Sequence, residues 1–305
     1  MRRIGAALLL GACATAALIG VCVYRCGGAE ALADDREKET AAERDARVHK
    51  EAEGLLKKMR ADLGKGFHYR VVRCFAVAGD VSERRFNVLC AHTVGAAYDA
   101  YEKQFFSKTP DRACRVFLFK DRASYLAHCR KLFDSEPGTP FGYYSHAERA
   151  LVMNIGTGGG TLVHEMFHAL VEPDFPDIPA WANEGIASLF EQCRIADGKL
   201  IGFTNWRLAG LQKALAADTC PTLRKVMSLS DAGFHSRDAG IHYAVARYFM
   251  LYLQEKGLLE KFYTTFRDTF EKDKTGITVA EALLEQKLED FEPTWREWVK
   301  GLRFP

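Results

Sequence analysis

The chain has 305 residues, of which 48% are hydrophobic and 27% charged, with 9 prolines. That apolar content supports a sizeable core and excludes a disordered tail or a fibrous repeat. A formal charge of +2 offers no electrostatic case for a nucleic-acid partner, and the length fits one or two domains.

The chain opens with a leader. Met1-Arg2-Arg3 precedes an apolar run from Ile4 to Tyr24, and Asp34, Asp35, Glu37 and Glu39 begin a polar stretch after it. The run is 24 − 4 + 1 = 21 residues. That exceeds the roughly 7–15 of a cleaved signal core and reaches the roughly 20 that span a bilayer. Residues 1–33 therefore read as a signal anchor, as a signal peptide cleaved near Ala31 or Ala33, or as a lipoprotein leader with Cys13 in Leu10-Gly11-Ala12-Cys13. All three export the domain, because the positive charges precede the apolar run. The predicted location is extracytoplasmic, membrane-anchored through residues 4–24 or released.

Residues 34–66 are rich in Ala, Glu, Arg and Lys, with Val48, Ala52, Leu55, Leu56, Met59 and Leu63 at helical spacing. They predict a charged helix with one apolar stripe, packed on its own domain or serving as a stalk or a partner-binding helix. A single domain is expected over 67–305. His68 to Ala78 predicts a strand, and Gly79-Asp80-Val81-Ser82 supplies the turn and cap of a helix running to about Phe106. Arg115 to Lys120 predicts a second strand, and Asp121 or Ser124 opens a helix through Leu132. Phe141 to Ser145 and Ala150 to Ile155 predict a hairpin around His146-Ala147-Glu148-Arg149.

Beyond Thr161 the pattern is helical: 161–171, 179–193, 205–217, 221–229, 240–256, 257–271 and 278–302, with one short strand at Lys199 to Phe203. Strands early and helices late predict an α+β fold, a small mixed or antiparallel sheet followed by a mostly helical half. Trp295, Trp298 and Leu302 share one helical face and read as core or as a lid. Cys13, Cys22 and Cys26 belong to the leader. The even remainder suits a disulfide-containing exported domain, with Cys74–Cys90, Cys114–Cys129 and Cys193–Cys220 the nearest pairs in sequence. No Cys-x-x-Cys pair supports a cysteine zinc site.

The chemistry concentrates in His164-Glu165-Met166-Phe167-His168. Spacing i, i+4 puts both imidazoles on one helix face, where they can bind one Zn²⁺ at roughly 2.0–2.1 Å, with Glu165 carried to the open side as general base. A catalytic zinc takes a third protein ligand. Trp181-Ala182-Asn183-Glu184-Gly185-Ile186-Ala187 supplies Glu184, 184 − 168 = 16 positions after the second histidine, with Pro173 to Pro179 for the turn between. His164, His168 and Glu184 then form a His₂Glu set, the kind used by catalytic zinc. Asn183 or Glu191 could orient a metal-bound imidazole. Gly156-Thr157-Gly158-Gly159-Gly160 lacks the Gly-Lys-Ser/Thr ending of a phosphate loop and reads as a flexible entry to the metal helix.

His164-Glu165-x-x-His168 followed by Trp181-x-Asn183-Glu184-Gly185-x-Ala187-Ser188 resembles the gluzincin metallopeptidases, and the second block is similar to that of the membrane alanyl aminopeptidase clan. The lead-in elements, the Gly142-Tyr143-Tyr144 hairpin and the C-terminal helices resemble the small exported peptidase MA-like proteins of that clan, over about 66–302. The resemblance implies a zincin-like fold with His164, His168 and Glu184 as ligands of one Zn²⁺ and Glu165 as the base acting on a zinc-activated water. It puts Tyr243, or the adjacent His242, in the role of oxyanion donor.

Two departures limit it. The His168–Glu184 interval is shorter than that family's, so the loop must be tighter. The Gly-x-Met-Glu-Asn strand that holds a substrate's free amine is also missing; Ala150-Leu151-Val152-Met153-Asn154 stands there, with Glu148 as the nearest substitute. An edge strand at 150–155 would bind an extended peptide by β-addition, favouring an endopeptidase acting on a peptide or protein substrate. The competing expectation is a catalytically silent zinc- or peptide-binding scaffold on the same fold.

Overall fold

The computed structural model describes residues 39–304. The leader at 1–33 and the expected start of the charged helix at 34–38 lie outside the described residues. Among the described residues no helix is long and apolar enough to cross a membrane. Helix α1 (Ala41–Leu63) buries Val48, Ala52, Met59 and Leu63. It packs on its own domain: Glu51 accepts from the Ala113 N–H at 2.9 Å and from Arg149 at 3.0 Å, and the Arg60 guanidinium lies 4.5 Å from the Tyr69 ring centre.

The stretch His68 to Ala78 is a hairpin rather than one strand. Arg73 takes φ 54°, a left-handed conformation that reverses the chain, so β1 (His68–Val72) pairs antiparallel with β2 (Phe75–Gly79). Both arms of the Asp99 carboxylate accept from the Arg73 guanidinium at 2.7 Å and hold the turn. The helix expected to Phe106 comprises α2 (Glu83–Val88), a π-helical stretch at Leu89–Gly95, and α3 (Ala96–Gln104). Then come β3 (Cys114–Phe119), α4 (Arg122–Phe133) capped by Asp121, and the hairpin of β4 (Gly142–Ser145) with β5 (Ala150–Asn154).

The sheet order is β1-β2-β3-β5-β4, with β2, β3 and β5 parallel and an antiparallel strand at each edge. Every residue of β2 and β5 is buried, because interior strands are covered on both faces. This corrects the expectation of an edge at 150–155. Residues 150–154 are interior, and the edge strand beside them is β4.

Helix α5 (Gly160–Val171) packs against β4 and β5, and α6 (Ala180–Leu189) follows it. The helix expected to residue 193 stops at Leu189. There the buried Arg247 donates from Nε to the Ser188 carbonyl at 2.9 Å and from Nη2 to that of Leu189 at 3.2 Å, satisfying carbonyls that the next helical turn would have used. The chain goes on into a second sheet, β6 (Cys193–Ala196) with β7 (Lys199–Gly202), of which the sequence reading contains only β7.

The remaining helices are α7 (Arg207–Ala216), α8 (Leu223–Met227), α9 (Asp231–Phe234), α10 (Ala239–Glu255), α11 (Leu259–Thr269), α12 (Ile277–Leu284) and α13 (Leu288–Gly301). Glu285, at φ 58°, breaks the helix expected over 278–302 into two. Trp295 is core, its indole N–H donating to the Tyr248 carbonyl at 3.4 Å, while Trp298 and Leu302 pack half-buried beside it. The fold is mixed α+β.

The six described cysteines are free thiols, so none of the three expected pairs is formed. Sequence neighbours are separated by the fold: Cys114 pairs in register with Phe75, next to Cys74, whereas Cys129 lies on α4. Burial pushes the Cys90, Cys193 and Cys220 thiols up to about 11 and Cys114 up to about 12, which favours the neutral thiol at neutral pH.

One buried carboxylate clamps the loop between α5 and α6. Asp174 Oδ1 accepts from Ser107 N, Ser107 Oγ and Lys108 N, and Oδ2 accepts from Tyr263 Oη and Arg267 Nη1, all at 2.8 Å. Burial alone would raise its pKa, but Arg267, Tyr263, Ser107 and Lys108 together hold it below the ordinary value. The stabilisation is therefore complete above the ordinary carboxylate pKa of about 4 and is lost as pH falls through the lowered folded value. Asp174→Ala should cost about 3–5 kcal/mol at neutral pH, because it removes the one acceptor shared by Ser107, Lys108, Tyr263 and Arg267 and leaves Arg267 with Asp268 alone. Urea unfolding of parent and variant should show that gap closing as the solution is acidified, and a pH-independent gap would contradict the assignment.

Candidate metal centre

Helix α5 carries the histidines because Leu162, Val163, Met166, Phe167, Leu170 and Val171 bury the rest of its surface. His164 and His168 project together, one turn apart, and are 7% and 9% exposed. The next eight residues make a tight loop held by Asp174 and by Phe175, whose ring packs against Tyr263, Phe266 and Phe270. Helix α6 then brings Glu184 to the same point. Gly185 is the reason α6 can lie so close to α10: a Cβ there would sit 3.2 Å from Met250 Cγ and 3.3 Å from Ala246.

Glu184 Oε2 lies 3.2 Å from His164 Nε2 and 3.6 Å from His168 Nε2. One ligand atom from each of the three residues falls within 4.8 Å of the others. Glu184 Oε2 is buried with no hydrogen bond of acceptable geometry, although ring nitrogens stand on either side of it. Lone pairs converging on a shared point, rather than on one another, are what a bound cation needs. The set therefore fits Zn²⁺, and the mixture of two imidazoles and one carboxylate suits a catalytic rather than a purely structural site.

The far side of each imidazole has its own carbonyl or carboxylate partner. His168 Nδ1 is 2.8 Å from Asn183 Oδ1, and His164 Nδ1 is 3.2 Å from Glu191 Oε1. His168 Nδ1 as donor to Asn183 leaves its Nε2 as a lone-pair atom, while Glu191 faces His164 Nδ1 at ion-pair distance without hydrogen-bond geometry, so both Nε2 atoms stay turned toward Glu184. Glu191 comes this close because Gly160 has no side chain; a Cβ there would lie 2.1 Å from the Glu191 carbonyl oxygen. That close approach, not phosphate binding, accounts for the last glycine of the 156–160 run. In the metal-free protein burial opposes His164 protonation, but the Glu184 and Glu191 carboxylates outweigh it and raise the pKa.

These residues line a cleft of about 330 Å³ together with Tyr143, Tyr144, His146, Glu165, Asp231, His235 and Tyr243. Glu165 Oε2 accepts from the Tyr144 backbone N–H, on edge strand β4, at 2.9 Å. Burial raises the Glu165 pKa, and the neighbouring histidines partly offset that. Tyr243 stays protonated well past neutrality, since burial and the adjacent Glu184 both raise its pKa. His242, the alternative donor, points elsewhere: its Nδ1 is 2.9 Å from the Phe234 carbonyl and it does not line the cleft.

Glu148 also falls outside the lining, paired with Arg115 at 2.6 Å on an exposed turn. Sequence reasoning missed His235, whose Nε2 is 4.0 Å from Glu184 Oε1, and Asp231, which accepts from the Ala180 N–H at 3.0 Å. The Ser230 cap before Asp231 was the available signal for the short helix carrying them. A larger hollow of about 860 Å³ lies between α1 and the β1–β2 hairpin, but it holds no comparable donor set.

The full-length chain should carry about one zinc, and His168→Ala and Glu184→Ala should carry little, by elemental analysis. Free zinc at about 1,000 times its dissociation constant should stabilise the parent by about 4 kcal/mol and leave the variants unmoved. A folded parent that takes up no zinc would remove the site. In comparisons with known proteins, no family model and no curated protein matched the chain, so the case for a candidate metal site rests on the donor geometry.

Proposed function

We propose that this protein is an exported zinc-dependent peptidase of gluzincin type and zincin-like fold, cutting within peptide or protein chains. The observation that carries the reading is the convergence of His164, His168 and Glu184 in one cleft with Glu165 and Tyr243 beside them. The finer fold reading is supported by β4, an antiparallel edge strand whose Tyr144 N–H meets the metal helix at Glu165. Export rests on the leader at residues 4–24, as anchor, cleaved signal or lipoprotein.

Zn²⁺, held by His164, His168 and Glu184, would supply Lewis-acid activation of water and of the scissile carbonyl. The chain's own residues do the rest. An extended substrate adds to the free edge of β4, where the Tyr144 N–H can pass from Glu165 to a substrate carbonyl. Glu165, released and with a raised pKa, takes the proton from the attacking water and returns it to the leaving amine. The Tyr243 hydroxyl, protonated at neutral pH, donates to the oxygen that gains charge. Among the described residues no lysine or arginine lines the cleft to seize a terminal carboxylate, and Glu148 is engaged elsewhere instead of awaiting a terminal amine. Both features favour internal cleavage.

Glu165→Gln should keep its zinc while hydrolysis of a peptide library falls by about 10²–10⁴. Tyr243→Phe should lower kcat by about 10²–10³ at similar KM. A Glu165→Gln protein as fast as the parent would refute the base. A zinc-loaded parent that cleaves nothing across diverse peptide pools would favour the silent binding scaffold.

A further inference from the structure

We propose that Arg207 is a positioning residue of the metal cleft, one guanidinium that fixes both the carboxylate behind His164 and the phenol ring of Tyr243; the second half of this rests on the peptidase reading. Arg207 begins α7 and belongs to neither metal helix. Its Nη1 donates to Glu191 Oε2 at 2.6 Å and its Nη2 to Glu191 Oε1 at 3.2 Å. Glu191 Oε1 is the oxygen that faces His164 Nδ1. A two-point grip sets the plane of the carboxylate, and so the direction from which His164 is held.

The same guanidinium carbon lies 5.6 Å from the centre of the Tyr243 ring and 5.0 Å from that of Trp206. Cation–π attraction to the Tyr243 ring gives its hydroxyl a fixed bearing in the cleft. Arg207 is itself pre-set. The preceding Asn205 is fully buried and bonded to Tyr248 of α10 in both directions, its N–H donating at 3.0 Å and its carbonyl accepting at 3.2 Å. Asn205 Oδ1 also accepts from the Arg207 N–H at 3.1 Å. The helix that carries Tyr243 thus anchors the residue that orients it. Lysine, a single point charge, could not make the fork and the ring contact together.

The test uses the full-length chain as parent, Arg207→Met, Arg207→Lys, Glu191→Gln and the Arg207→Met/Glu191→Gln double variant. Zinc dissociation constants come from competition with a chromophoric chelator, with metal-free thermal unfolding as the check on folding and kcat and KM on a peptide that the parent cleaves. Arg207→Met should weaken zinc about tenfold and lower kcat at unchanged KM. In the Glu191→Gln background the same change should leave zinc affinity where it was, because the arginine acts on the metal only through Glu191, yet still lower kcat. Arg207→Lys should recover part of the zinc affinity and little of kcat, and it carries the test if the methionine variant fails to fold.

Parent-like zinc affinity and kcat in the arginine variants would overturn the proposal, as would a zinc loss that adds in full to that of Glu191→Gln. A parent that binds no zinc overturns this and the peptidase reading together. A parent that binds zinc without cleaving removes the peptidase reading, and the zinc measurements still decide the role of Arg207.

Discussion

Three lone-pair donors have to be held within 4.8 Å of one another in a place that water scarcely reaches, and most of the structure around the cleft can be understood as meeting that demand. Desolvating two imidazoles and a carboxylate is unfavourable unless something compensates each of them. In the metal-free protein the compensation comes from mutual attraction and from Asn183 and Glu191 behind the rings. Two helices from different parts of the chain must therefore be fixed against each other more tightly than apolar packing alone requires.

Close backbone approach and buried charge provide that fixing. Gly185 lets α6 settle onto α10, and Gly160 lets the end of α6 close over the start of α5. Arg247, fully buried on α10, satisfies the carbonyls where α6 stops, which turns the chain so that Glu191 faces His164. Asp174 and Phe175 pin the short loop between the two metal helices to α11. Each device lies outside the cleft, yet each determines where a ligand atom stands.

The cleft that results is polar, rimmed by an unpaired strand edge on one side and by the α9–α10 segment on the other. It gathers a carboxyl group whose pKa burial raises, Glu165, and a phenol that stays protonated, Tyr243. Trp206, 56% exposed, stacks on Arg207 at the surface beside the cleft.

That His164 and His168 share one helix face was legible in the chain because helical spacing is local physics: residues i and i+4 project together whatever else the protein does. The approach of Glu184 to the two histidines was legible from the interval after His168, long enough for a turn and an antiparallel return, and from its Asn183-Glu184-Gly185 context. The 142–154 hairpin and the order of strands before helices followed from alternation and turn chemistry. Other features needed the fold. The left-handed turn at Arg73 is held by Asp99, 26 residues away, a contact that local propensity does not record. Strand order made β4 rather than β5 the free edge, and cysteines adjacent in sequence were carried apart. The choice of Tyr243 over His242, the entry of His235 and the reach of Arg207 were decided by how α7, α9 and α10 pack, over sequence separations at which periodicity carries no information.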